Sequence, residues 1–293
     1  MMATVPSDVL DRYHRFSRYN SPYPAHDCGR AVDLYPSGDE GVSPVSGTVR
    51  ETRTVGCPER SYAAATDHLI VVDLDEAWCR RAGVKQGTTA RILHVIPEVD
   101  AGDHVSVGDV LGPMTRSGFF GPWVDNHVHL GFRPPGVSAL RASGSLPVET
   151  DVDVLPMEWD GTGDVVERGP TYVVLDAPSH PTPGRSFVAL ASDEGVPLDG
   201  GLTHYAGGGT FAPTDGDLSL LGTSIGTVRD RSVEWEPVAV IVNGTRAVGL
   251  SLFATRNGRA GVKIVGSDLG LSVGQSVTVT LRETDDPVRL GVG

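Results

Sequence analysis

Gly121-Pro122-Trp123-Val124-Asp125-Asn126-His127-Val128-His129-Leu130-Gly131-Phe132 is the stretch on which the fold and chemistry of this chain turn. After the Gly-Pro break, His127 to Phe132 alternates in the manner of a β-strand, and a period of two puts both histidine rings on one face. That spacing lets both reach one metal site. A lone His-x-His on an exposed strand face also occurs without purpose, so its neighbours in the sequence decide its meaning.

Moving outward, the first half offers further short apolar runs at Val42 to Val49, His68 to Leu74, Thr89 to Ile96 and Val105 to Leu111, separated by Gly, Pro and Asp clusters. Helices are expected only over Ser7 to Tyr19, where Ser7 can cap a weak 3.6-residue face, and over Asp75 to Ala82. The second half adds Tyr172 to Leu175, Ser186 to Leu190, Leu218 to Val228, Val238 to Val242, Ala247 to Phe253, Val262 to Val265 and Ser276 to Arg282. Asn243-Gly244 and Asn257-Gly258 fall between such runs and suit type I′ hairpin turns, so a meander closed by the last strand is expected. With 37 Gly and 21 Pro among 293 residues, the expected fold is mostly β: an antiparallel β domain followed by a second β-rich domain, a sandwich or barrel. Its divisions are an N-terminal helical extension at 1–22, a first domain at 23–140, a linker at 141–168 and a second domain at 169–293.

Five segments come in a definite order: His26-Asp27-Cys28-Gly29-Arg30-Ala31-Val32-Asp33-Leu34, Gly41-Val42-Ser43-Pro44-Val45-Ser46-Gly47-Thr48-Val49, Ile92-Leu93-His94, Val105-Ser106-Val107-Gly108-Asp109-Val110-Leu111-Gly112, and the His-Val-His stretch. In this order they resemble the lysostaphin-type (LytM-like) zinc metallopeptidases of the HxH class over residues 23–133. The resemblance implies a duplicated-hybrid-motif, barrel-sandwich-like first domain. It also implies Zn2+ as cofactor, Asp33 and His129 as ligands, His127 as a catalytic histidine that holds or deprotonates the attacking water, and His94 as a second catalytic histidine that stabilises the oxyanion. Three protein ligands leave zinc a position where water becomes a nucleophile near neutral pH. One departure concerns the first ligand. The family places that histidine four residues before the aspartate, whereas His26 lies seven before Asp33. A local bulge through Asp27-Cys28-Gly29 would return His26 to the metal; Cys28 or Asp27 in its place, or no metal, are the alternatives.

The same resemblance implies a peptide or peptide-like substrate. The class opposed to this endopeptidase-like reading is a catalytically inactive binding module of the same fold that has lost or altered its metal. The segments around Gly41 and Val105 also resemble lipoyl and biotinyl carrier barrels, but neither holds a lysine, which excludes a carrier. A net charge of −13 argues against nucleic acid and anionic membranes as partners. No apolar run approaches the roughly 18 residues of a membrane helix. The charged N-terminus has no secretory h-region, so a cytoplasmic location is expected. Lys appears only at Lys85 and Lys263, and the acidic excess, rich in Asp, resembles haloarchaeal proteins. Cys28, Cys57 and Cys79, without CxxC spacing, do not make a disulfide framework. His204 to Gly209, although glycine-rich, has no following Lys-Ser/Thr and reads as structural rather than as a phosphate loop.

Overall fold

The computed structural model describes residues 1–258 and 260–291, the side chain of Asp27 excepted. The chain divides into two compact units, Met1–Arg18 with Pro24–Val152, and Tyr19–Tyr23 with Asp153–Gly293. Both are built almost wholly of β-strands.

In the N-terminal unit the strands are β1 (Ala3–Val5), β2 (Arg15–Ser17), β3 (Val32–Tyr35), β4 (Glu40–Val42), β5 (Gly47–Gly56), β6 (Thr66–Leu74), β7 (Thr89–Leu93), β8 (His104–Val105), β9 (Val110–Pro113), β10 (Val128–Arg133) and β11 (Val148–Thr150). Seven of them lie side by side in the order β2-β3-β10-β7-β6-β5-β8, while β4 pairs with β9 and β1 pairs in parallel with β11. The expected run Val42 to Val49 is broken at Ser43-Pro44, and Val105 to Leu111 at Val107-Gly108, because a proline and a left-handed glycine (φ 93°) interrupt the ladder. Among the described residues only α1 (Ser7–Leu10) and α2 (Glu76–Arg81) are α-helical.

Two expected divisions differ from the structure. The stretch 1–22 is not a helical extension: α1 is one turn, flanked by β1 and β2. Phe16 and Ser17 are fully buried and Arg15 is half-buried, and the three residues pair in register with Tyr35, Leu34 and Asp33 of β3, which makes this segment a strand. Nor is 141–168 a linker, since β11 and the strands Val154–Met157 and Thr162–Arg168 lie in it. Its Ser/Gly/Asp composition hid short strands that a partner ladder stabilises.

The C-terminal unit carries a sheet in the order Gly216–Leu220, Thr223–Arg229, Ser232–Trp235, Gly207–Thr210, Leu198–Leu202, Gly249–Leu252, Lys263–Val265, Tyr172–Leu175, Thr162–Arg168, Ser276–Glu283, Val238–Val242 and Thr245–Arg246. Its core gathers Leu198, Leu250, Ile225, Ile264, Val240 and Trp235. Asn243-Gly244 (φ 48° and 84°) does make a two-residue turn, with Val242 opposite Thr245. The strand after it, however, leaves to pair with Leu198–Leu202 and Lys263–Val265. Asn257-Gly258 lies in a longer connection, since Ser251 pairs with Lys263. The last strand sits between Thr162–Arg168 and Val238–Val242, so the expected meander is replaced by a crossed order. A second hairpin, turning at Leu221-Gly222, divides the expected strand Leu218 to Val228.

Register decides what the N-terminal unit displays. On one face of β3, β10, β7 and β6 lie Val32, Leu34, Val128, Leu130, Phe132, Ile92, Ala90, Ile70 and Val72, all fully buried. On the opposite face the same strands carry Asp33, His129, Arg133, Leu93, Arg91, Thr89, Leu69 and Val71. The apolar face holds the sheet together. The other holds the chemistry.

Candidate metal centre and active site

Asp33 on β3 and His129 on β10 are directly paired across the ladder, so their side chains rise together from the polar face. His26 reaches them from outside the sheet. The seven-residue spacing to Asp33 is accommodated by a tight turn, Asp27–Gly29, in which Cys28 (φ 53°) and Gly29 (φ 61°) are both left-handed and the Gly29 N–H donates to the His26 carbonyl at 3.0 Å. The expected correction of register thus comes from a one-turn reversal rather than a strand bulge. Cys28 points away and is exposed.

The three candidate donor atoms form a small triangle. His129 Nδ1 is 2.9 Å from Asp33 Oδ1 and 3.3 Å from His26 Nε2, and His26 Nε2 is 3.4 Å from Asp33 Oδ1. Tetrahedral zinc with ligands at 2.0–2.1 Å sets its donors about 3.3–3.4 Å apart, so these edges suit such an ion. Tautomers sharpen the fit. His26 Nδ1–H donates to the Arg18 carbonyl at 2.8 Å, leaving a lone pair on Nε2 in the neutral ring. His127 Nδ1–H donates to the Asp125 carbonyl at 2.9 Å, and its Nε2 faces Asp33 Oδ1 at 3.4 Å. Several electron-rich atoms therefore face one point, an arrangement that calls for a shared proton or a cation.

Protonation states agree with a cation cradle. Burial pushes the Asp33 carboxyl up, but the neighbouring His127 and His26, with hydrogen bonds from His127 and His129, overcome it and hold Asp33 well below the usual carboxylate range. Burial pulls His129 down to about 3; Asp33 opposes that pull, while His26 and His94 add to it. An ionised carboxylate beside a neutral imidazole is the donor set a zinc-like ion takes.

His94 and His127 complete the group. Their rings meet edge-on with centroids 5.0 Å apart, and His94 lies 5.7 Å from His129. Phe120 stacks on His127 at 4.5 Å and meets His94 edge-on at 4.6 Å, which fixes both rings. The structure thus brings together all five residues singled out in the sequence: His26, Asp33, His94, His127 and His129. Each is less than a tenth exposed.

Sequence reasoning missed Asp67. This fully buried carboxylate accepts from His94 Nδ1 at 2.5 Å, from the His94 N–H at 3.1 Å, from the His68 N–H at 2.7 Å and from Ser117 Oγ at 2.9 Å. Burial raises its pKa, and His94 with these hydrogen bonds outweighs that, keeping it ionised. His94 is left-handed (φ 72°), a conformation a non-glycine residue holds only when its surroundings dictate it. Asp67 dictates it by gripping backbone and ring together. The signal was an acidic residue just ahead of the apolar run Leu69 to Val72 in β6, next in the sheet to the strand that ends before His94.

Residues 4–150 match the family model described as the domain of unknown function DUF8155, N-terminal domain, and residues 155–282 match the DUF8155 C-terminal domain. Among curated proteins there is no match. A solved structure of LytU is similar at 16% identity and TM-score 0.28, covering 40% of this chain and 68% of LytU. The solution structure of lysostaphin is similar at 13% identity and TM-score 0.27, covering 96% of this chain and 98% of that one. Likenesses this loose have no bearing on chemistry.

Proposed function

The chain belongs to the DUF8155 family, and from the site it carries we propose that it is a zinc-dependent hydrolase that cleaves an amide bond in a peptide or peptide-like substrate. The observation that carries this reading is the convergence of His26 Nε2, Asp33 Oδ1 and His129 Nδ1 within 3.4 Å of one another, flanked by two further imidazoles.

In this reading His26, Asp33 and His129 hold the ion, which supplies Lewis acidity and a nucleophilic water near neutral pH. His127 keeps its Nδ1 proton on the Asp125 carbonyl, so Nε2 is the atom that takes a proton from the attacking water. His94 keeps its Nδ1 proton on Asp67, and its Nε2 offsets charge developing on the scissile carbonyl oxygen once protonated. Phe120 excludes water from the gap between the two rings. Asp67 is a positioning residue: it sets the His94 tautomer and ring plane.

One observation favours a second reading, a metal-binding module without turnover. The five residues are only 3–8% exposed, which leaves little room for a polymeric substrate. One experiment separates the two. Protein purified in high salt is analysed for bound metal as wild type, His129→Ala and His26→Ala, then assayed on short peptides of small residues. Stoichiometric zinc that is lost in both variants, with hydrolysis by the wild type alone, is expected. Zinc without hydrolysis favours the module, and no zinc in reconstituted wild type overturns both.

A further inference from the structure

Farther along the polar face, β7 and β10 carry two arginines that burial has cut off from counter-ions. Arg133 is fully buried and Arg91 is 8% exposed. Register puts Arg91 opposite Gly131 and Arg133 opposite Thr89, so the two arginines are diagonal neighbours, about 7–8 Å apart across the ladder and within reach of long side chains. Neither forms a salt bridge with any described residue. Burial pulls Arg133 down to about 10 and the charge of Arg91 adds to the pull, while burial alone lowers Arg91. In a chain with 37 acidic residues, a buried cationic pair without a carboxylate is costly unless something else neutralises it.

The surroundings have the form of a receptor. Arg133 uses its terminal nitrogens on Ser145 Oγ and on the Arg141 and Ala142 carbonyls, which ties the 139–146 segment over this face. Its Nε stays unbonded, as do Arg91 Nε and Thr89 Oγ1, and the Arg91 guanidinium makes no hydrogen bond with any described residue. Gly131 puts no side chain between them, and a Cβ there would come into contact with Ser145 Oγ at 3.5 Å and the Arg30 carbonyl at 3.8 Å. Asp73, which the register sets beside Thr89, is instead engaged by Arg50 at the surface.

We propose that Arg91, Arg133 and Thr89 form a binding site for a small oxyanion, a carboxylate or inorganic phosphate, over Gly131 and distinct from the His/Asp centre. Guanidinium N–H groups and a hydroxyl suit planar or tetrahedral oxyanions, which accept several hydrogen bonds at once. A bound oxyanion would neutralise the pair and satisfy the orphaned donors together.

Titration calorimetry with inorganic phosphate and, separately, sodium acetate at fixed ionic strength tests this. Wild type is expected to bind at least one of the two saturably, with phosphate-only or acetate-only binding identifying the source. Arg91→Met is expected to weaken binding roughly tenfold or more, as loss of a charge-assisted donor does. Thr89→Val, which keeps both charges and the fold, is expected to weaken it several-fold. His129→Ala, altered at the other centre, is expected to bind as wild type does, which separates this site from an anion held at a metal. In oxyanion-free buffer Arg91→Met is expected to melt at or above wild type, because it removes a buried charge, and added phosphate or acetate is expected to reverse the order. No saturable binding by wild type, or equal binding by wild type, Arg91→Met and Thr89→Val, overturns the proposal.

Discussion

His129 in the N-terminal unit and His204 in the C-terminal unit are both buried, and burial is the first reason each is pulled down to about 3. Their neighbours differ in sign. Asp33 pulls His129 back toward protonation, and His26 turns a second nitrogen toward the same point. Beside His204 the charge of Arg289 adds to burial, its ring meets Tyr205 at 4.5 Å, and Gly201 and Gly249 close on its two nitrogens so tightly that a Cβ at either would collide. Burial alone makes a neutral histidine. A carboxylate and a second imidazole aimed at the same point make a donor set.

The strongest way to break this comparison is Asp33→Ala. It removes the carboxylate that distinguishes the two environments, and is expected to abolish stoichiometric zinc by elemental analysis and to cut hydrolysis by more than about a thousandfold. Next comes Asp67→Asn, expected to lower turnover by about 10–100-fold with bound zinc unchanged, since it loosens a ring without removing a donor. Zinc loss in that variant would show Asp67 holding the centre itself together.

His204 gives a prediction about stability. Its folded pKa of about 3 lies below the unfolded value near 6.5, so between these values the unfolded chain binds the proton and the folded one does not. Its contribution is therefore whole above pH 6.5 and is lost as pH falls toward 3, at about 1.4 kcal/mol per unit. Urea unfolding of the C-terminal unit across that range is expected to flatten in His204→Phe, which keeps a ring and cannot titrate. The smallest effect is expected from Cys28→Gly. Relief of the left-handed conformation raises stability by about 0.5–1 kcal/mol in thermal melts, and zinc content stays the same because the thiol points away.

Part of the candidate centre was legible from local periodicity, which puts His127 and His129 on one face. Asp33 and His94 were legible only through the resemblance of the ordered segments to lysostaphin-type metallopeptidases, and the structure sets His94 just after a strand that pairs with β10. His26 was legible only as a candidate, because its spacing depends on two successive left-handed residues that no propensity announces. Strand pairing in the C-terminal unit was less legible. Asn243-Gly244 specifies a turn, but burial of Leu250 and Leu252 in the core draws the next strand to other partners. Asp67 escaped because its role comes from a neighbour 27 positions away.

The sequence by itself determined the β character, the two faces of each strand, the shared face of His127 and His129 and the acidic balance, since these follow from composition and from the two-residue repeat of an extended chain; His26, Asp33 and His94 were singled out by the resemblance of the ordered segments to lysostaphin-type metallopeptidases. Only the tertiary structure decided that His26 Nε2 meets His129 Nδ1 across 103 positions, that Asp67 grips His94, and that Arg91 and Arg133 share one side of a sheet with no carboxylate paired to either. The reason is register. Which residues face each other across β3, β10, β7 and β6 is set by the summed burial of Val32, Leu34, Leu130, Ile92 and Ile70 on the far face, and a slip of one residue would exchange the two faces.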